Sequence, residues 1–329
     1  MIQSRLLLWG LLLFAGGLPA LSHSAPRTLT VGALAYGTVN WELTVIEREG
    51  FDRRHGFKMT LRKLASPQAG KIALQSKAAD LIVTDWIWVA QQRSKGEDFT
   101  SVPYSLTHGA LVVPPQSNIS SVKDLAGKRI GIAGGALDKN WLLLQALARK
   151  QYNLDLARTA EPVYGAPPLL NQQLLQGRLD AVLNYWHYAT RLEAQGYRQL
   201  LNGRDILKGL DLTPPVPTLG YVFRERWAQG NQDMLNAFIR AAYQAKDAIC
   251  SGDRVWAYVA PLTGSKDTRL QNLLRQRYCE GRLRSWGQDE MKTAKKLYRI
   301  LRELGGEKLT GPSPELPRGT FWFQFQLPR

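Results

Sequence analysis

Val122-Lys123-Asp124-Leu125-Ala126-Gly127-Lys128-Arg129-Ile130-Gly131-Ile132, continued by Ala133-Gly134-Gly135, is the stretch on which the fold reading turns. A short helical turn ends at Gly127, a residue free to take positive φ, and an apolar strand follows at Arg129 to Ala133. Gly134 and Gly135 then lead into a long helical segment from about Lys139 to Gln151. Two readings of the glycine pair stand side by side: a tight strand-to-helix turn, or backbone N–H groups bared at a helix N-terminus for a polar or anionic ligand.

The same alternation runs outward in both directions. Upstream, Thr28 to Ala33, Lys58 to Leu64 and Ala79 to Val83 read as strands, with helices at Trp41 to Arg48, Pro67 to Ser76 and Asp85 to Lys95. Downstream, Glu161 to Tyr164 and Leu179 to Leu183 read as strands around a helix at Pro167 to Gln176. Strands alternating with helices predict βαβ units and a mostly parallel sheet. After a last strand at Thr218 to Phe223, helices dominate to about Leu304, too strand-poor for a third sheet. The economical arrangement is a two-lobed α/β fold with a helical C-terminal part. The chain leaves the first lobe near His108, builds the second, and returns near Pro214. Residues 25–108 with 213–329 are expected to form lobe 1, and residues 109–212 lobe 2.

Residues 1–24 read as a cleavable signal peptide: Arg5, an apolar run from Leu6 to Leu18, then small residues at Ala20, Ser22 and Ser24. A run of about 13 residues falls short of the roughly 20 that a membrane-spanning helix needs. Export to the periplasm follows, with no membrane insertion. Cys250 and Cys279, 29 positions apart in an exported chain, predict an intramolecular disulfide, with two buried reduced thiols as the alternative. The four histidines are scattered singly, so neither a metal site nor a cofactor is expected. The net charge of +16 favours an anionic surface in principle, but the basic residues are spread along helices such as Lys292 to Arg302 and form no phosphate-tracking tract, so nucleic acid is not a partner.

Three segments resemble one family. The pattern within Ile119 to Gly131, the run Leu174-Leu175-Gln176-Gly177-Arg178-Leu179-Asp180-Ala181, and its first-lobe counterpart Lys77-Ala78-Ala79-Asp80-Leu81 are similar to those of ABC-transporter binding proteins for nitrate, sulfonates, taurine and thiamine precursors. The resemblance implies a type II periplasmic binding fold, a monomer, a small-molecule solute, and an ABC permease with its ATPase as partners. A periplasmic accessory or sensory binding protein, presenting a ligand to a partner enzyme or receptor, is the alternative. The family's enzyme branch carries a cysteine-rich motif that this chain lacks.

Open α/β sheets bind ligands beyond the carboxyl ends of their strands. The residues after each expected strand are therefore the ligand-binding candidates: Tyr36, Thr38, Asn40 and Trp41; Asp85 and Trp86; Asp138 and Asn140; Asn184, Tyr185, Trp186 and His187. Aromatic rings from opposite lobes would clamp a planar or methyl-rich solute, and Asp85 or Asp138 would hold a cationic or N–H-bearing group. Each has a plainer role open to it: Asp85 as a helix cap, Trp41 as a helix start packed on the sheet, and Trp88 as core. His187 has no nucleophile or carboxylate partner in sequence that would make it a catalytic base.

Overall fold

The computed structural model describes residues 27–328, so the expected signal peptide lies outside the described residues. The chain begins with β1 (Arg27–Leu34), α1 (Val39–Glu49), α2 (Phe51–Arg54), β2 (Phe57–Leu64), α3 (Pro67–Gln75), β3 (Leu81–Asp85), α4 (Trp86–Arg93) and β4 (Phe99–Ser105). It continues through β5 (Ala110–Val113), β6 (Arg129–Ala133), α5 (Lys139–Tyr152), α6 (Leu156–Thr159), β7 (Glu161–Gly165), α7 (Pro167–Leu175), β8 (Ala181–Asn184), α8 (Trp186–Glu193), β9 (Arg198–Asn202) and α9 (Gly203–Gly209). It closes with β10 (Leu219–Arg224), α10 (Glu225–Gly230), α11 (Gln232–Ser251), α12 (Asp253–Val259), α13 (Thr268–Glu280) and α14 (Gln288–Thr310).

Two five-stranded sheets result, ordered β2-β1-β3-β10-β4 and β7-β6-β8-β5-β9. In the first, β10 runs antiparallel between β3 and β4; in the second, β5 runs antiparallel between β8 and β9. The chain passes from one sheet to the other twice, between β4 and β5 and again between β9 and β10. β9 was not expected from the sequence.

The two family-like aspartates explain how each sheet finds its register. Asp80 Oδ2 accepts from Thr30 N–H (2.8 Å) while Asp80 N–H donates to Thr30 O (2.9 Å). Asp180 repeats this in the other lobe, accepting from Arg129 N–H (2.8 Å) and donating to Arg129 O (2.9 Å). Each carboxylate thus clamps the entry to β3 or β8 beside its parallel neighbour, β1 or β6. The turn before each clamp passes through positive φ, at Lys77 (62°) and Gly177 (68°). These motif residues build the sheets and stand at the entry to β3 and β8, away from their carboxyl ends.

The core is not split cleanly between lobes. α14 packs on both α4 and α5, and one apolar cluster joins Trp86, Ile87 and Ala90 to the second-lobe residues Leu142 and Leu144 and to Leu297, Tyr298 and Leu301 of α14. The C-terminal segment also covers the β4 edge of the first sheet: Ser101 N–H donates to Thr320 O and Trp322 N–H to Ser101 O. Among the described residues no helix is long and apolar enough to cross a membrane. Cys250 of α11 and Cys279 of α13 are joined, with Sγ atoms 2.02 Å apart.

Candidate functional site

The carboxyl ends of β1, β3 and β4 face those of β6 and β8 across the gap between the sheets, and helices start there on both sides. Caps decide which starts are open. Asp85 caps α4 by accepting from Trp88 N–H (2.9 Å), and Asp138 caps α5 by accepting from Asn140 N–H (2.9 Å) and Trp141 N–H (3.2 Å). α1 and α8 begin at Thr38 and Tyr185 with no side-chain cap.

Asp85, Asp138 and Tyr185 come together. An atom placed at the Cβ position of Gly134, whose φ is 104°, would lie 3.4 Å from both Asp138 Oδ2 and the Tyr185 hydroxyl. Burial raises the Tyr185 hydroxyl to about 12, and the nearby Asp138 and Asp85 charges push the same way. Burial also raises Asp138 against the pull of Lys139 and its own cap bonds. For Asp85, burial is outweighed by Lys139, Lys71 and the cap bond, and its carboxyl sits below the ordinary range. Lys139 Nζ reaches Asp85 from the opposite sheet at 3.3 Å, and Lys71 Nζ stands at 4.0 Å.

Trp41 and Trp186, from opposite lobes, meet edge to face at 6.3 Å. The two rings fill the space between them with each other. Trp41 is buried among Trp256 (5.7 Å), Tyr278 (5.4 Å) and the helical core, while Trp186 is half-buried against the first-lobe cluster. Trp86 is a correction. Its indole N–H donates to Pro217 O (2.6 Å) and its ring packs on Phe321 (5.3 Å), leaving it 1% exposed.

Other candidates are spent on local structure. Asn40 Nδ2 donates to Leu34 O (2.7 Å) and Gly37 O (3.3 Å), tying the turn after β1. Asn184 is buried, with Nδ2 donating to Asn171 Oδ1 (2.7 Å) and Pro167 O (3.0 Å), and Oδ1 accepting from Tyr185 N–H (2.8 Å). Asn140 Nδ2 lies 3.0 Å from where a Cβ on Gly109 would stand, so it packs against the first crossover. Tyr36, 61% exposed, donates to Ala65 O (3.0 Å) on the rim of the first lobe. His187 is half-buried with Nδ1 unpartnered among the described residues, and burial, then Arg191, lowers it to about 4. It is neutral at pH 7 and has no carboxylate to orient it.

Beneath Thr38 lies a buried network that the sequence reading missed. Glu42, fully buried in α1, accepts from the Tyr221 hydroxyl (2.6 Å) and the Tyr278 hydroxyl (3.1 Å), with Lys246 Nζ 3.7 Å away. Lys246 donates to Tyr104 O (2.7 Å) and sits 4.0 Å from the centre of the Tyr104 ring. Burial raises Glu42 and lowers Lys246, each offset by the other's charge. The Tyr104 hydroxyl is buried without a partner among the described residues. The available signal was a glutamate on the apolar face of α1, among Trp41, Leu43, Val45 and Ile46.

Two cavities border this region or lie beyond it. One of about 40 Å³ lies beside Trp186, lined by His108, Thr107, Arg204 and Arg277. A larger hollow of about 690 Å³, between α11 and the C-terminal tail, shares no residue with the strand-end cluster.

Two sheets of this order, exchanged through paired crossovers and facing each other by their strand ends, define the two-lobed periplasmic binding fold. The family model described as NMT1/THI5 like matches residues 38–251, and the chain belongs to that family. Among solved structures it is similar to the periplasmic aliphatic sulphonate binding protein SsuA from Escherichia coli, with 20% identity, a TM-score of 0.72, and 91% of this chain and 98% of that one covered. The alkanesulfonate-binding protein SsuA from Xanthomonas axonopodis pv. citri, bound to MOPS, matches at 18% identity and a TM-score of 0.67, covering 91% and 99%. The desulfurization enzyme DSZB matches at 16% identity and a TM-score of 0.60, covering 89% and 97%, so this fold also hosts an enzyme. No curated protein matches the chain.

Proposed function

We propose that the chain is a periplasmic solute-binding protein that captures a small organic molecule between its lobes, as a monomer, and delivers it to the permease and ATPase of an ABC importer. The observation that carries this is the character of the lobe-to-lobe contacts at the strand ends. They are made by side chains: Trp186 on Trp41, Lys139 on Asp85, Arg277 on Glu193 (2.6 Å), and Arg191 on Thr263 O (2.5 Å). Such contacts exchange for solvent or solute without breaking a sheet. Family membership and the named binding proteins of the same fold support the reading.

Tyr185, Trp186 and Asp138 from the second lobe, and Thr38 and Asp85 from the first, are the groups a solute would meet. Delivery requires only that the solute stabilise the closed form over the open one, so that a permease distinguishes loaded from empty protein. The test is native mass spectrometry of the periplasmic protein, with the released molecule identified. A stoichiometric solute, lost in Trp186→Ala without unfolding, supports the reading. Protein that stays empty and shows no thermal shift with sulfonates, amines or pyrimidines refutes it.

A further inference from the structure

Lys139 stands where the helix dipoles alone would not put it. It is the first residue of α5, and its ammonium also reaches the start of α4, so it lies beside the positive ends of two helix dipoles. Its neighbour Asp138 spends Oδ1 on the cap of α5. The Lys139 ammonium crosses to the first lobe instead and meets Asp85, 54 residues earlier in the chain, at 3.3 Å. The two side chains are only 26% and 15% exposed, so the pair is partly shielded from water. Asp85 Oδ1 accepts from Trp88 N–H as well, and Oδ2 faces Lys71 at 4.0 Å. Asp138 Oδ2 and the Tyr185 hydroxyl point to the same spot beside Gly134, while Asp138 Oδ1 holds the cap of α5. Two carboxylates and a hydroxyl thus gather at this end of the cleft, and the Lys139 ammonium already meets one of the carboxylates.

We propose that Lys139 is a built-in stand-in for the solute: its ammonium occupies, in the empty chain, the Asp85 carboxylate that receives the cationic or N–H-donating group of the captured molecule. The Lys139–Asp85 pair holds the empty lobes together. A solute that presents an ammonium or amidinium group replaces Lys139 on Asp85 and adds bonds to Asp138 and Tyr185. A sulfonate group meets two carboxylates there, and both capped helix starts have already spent N–H groups on those side chains. This rests on the cleft being the solute site, but its test uses no natural solute and therefore fails or succeeds separately.

The experiment is small-angle scattering of the ligand-free full chain, with far-UV circular dichroism to check folding. Lys139→Ala is expected to lower the closed-to-open ratio about tenfold, the scale of one partly buried charge-assisted hydrogen bond. Ethylammonium chloride at tens of millimolar should restore the compact form of this variant, and sodium ethanesulfonate at equal ionic strength should not. Asp85→Asn keeps the α4 cap, because asparagine caps as well as aspartate. It should open the chain in the same way and resist rescue by ethylammonium. Wild-type scattering from Lys139→Ala overturns the latch. Rescue by ethanesulfonate, or equal rescue of Asp85→Asn by ethylammonium, overturns Asp85 as the cation receptor.

Discussion

Replacing Lys246 by Met would leave Glu42 buried without its cation. The methionine matches the lysine stem in length, so the perturbation is the loss of the charge together with the hydrogen bond to Tyr104 O. Tyr221 and Tyr278 would still donate to Glu42, but no opposite charge would remain within 4 Å. Breaking a buried pair from one side costs about 3 to 5 kcal/mol, and the two tyrosine bonds place this case near the lower end. The loss depends on pH with a definite sign. Burial already raises the Glu42 carboxyl, and removing Lys246 raises it further, so the native state binds a proton more readily than the unfolded chain. The stability deficit of Lys246→Met should therefore be largest at pH 7 and shrink toward pH 5, by up to about 1.4 kcal/mol per pH unit once Glu42 takes up its proton. The double variant Glu42→Gln/Lys246→Met removes both charges and should recover to within about 1 kcal/mol of wild type. Urea unfolding at pH 7 and pH 5, with slopes compared to confirm equal exposed surface, reads all three quantities. A Lys246→Met deficit below about 1 kcal/mol at pH 7, or one that does not shrink at pH 5, would refute the picture of a buried pair in which Lys246 keeps Glu42 charged against its burial.

Two further outcomes follow from other parts of the molecule. Converting Cys250 and Cys279 together to serine should lower stability by about 3 to 4 kcal/mol on the loop-entropy model for a separation of 29 residues, and an unfolding midpoint indifferent to reductant would mean that the thiols are free in the purified protein. His108, buried at the first crossover against Gly203, is lowered to about 4 by burial and then by Arg204, as His187 is by burial and Arg191. The unfolded chain thus binds more protons than the folded one between pH 6.5 and 4, and the stability each neutral ring contributes above pH 6.5 is lost as pH falls through that window. The slope should approach 1.4 kcal/mol per pH unit for each histidine, and thermal melts of His108→Gln should show it reduced by about half; an unchanged slope would remove His108 as a source.

Apolar runs and breakers carried most of the fold. β6 and β8 are short stretches buried along nearly their whole length, and such runs are legible because only a sheet interior accepts them. β9, Arg198–Asn202, escaped notice because every residue in it is half-buried, as expected of an edge strand with mixed composition. The C-terminal helices were legible as helices, but their placement was not. α14 bridges α4 and α5 because its apolar face meets surfaces from both lobes at once, a match no single segment announces.

The candidate site divides the same way. Strand ends were found from sequence, and with them the neighbourhood of Asp85, Asp138, Tyr185 and Trp186, because the chain must leave a sheet at its carboxyl edge wherever a helix follows. Which way each side chain turns was decided only in three dimensions. Asp85 and Trp86 are adjacent, yet one meets a lysine from the other lobe and the other sinks toward Pro217 and Phe321, more than 130 residues further on. Lys139, Lys71, Glu42 and Lys246 carry no local mark of their partners. Charge pairing acts through space, and distance between groups remote in sequence exists only once the two sheets have been folded face to face. By itself the sequence determined periodicity, caps and turns, which depend on neighbours within a few residues. The tertiary structure decided burial and electrostatics, which depend on everything within about 10 Å, the screening length in dilute salt.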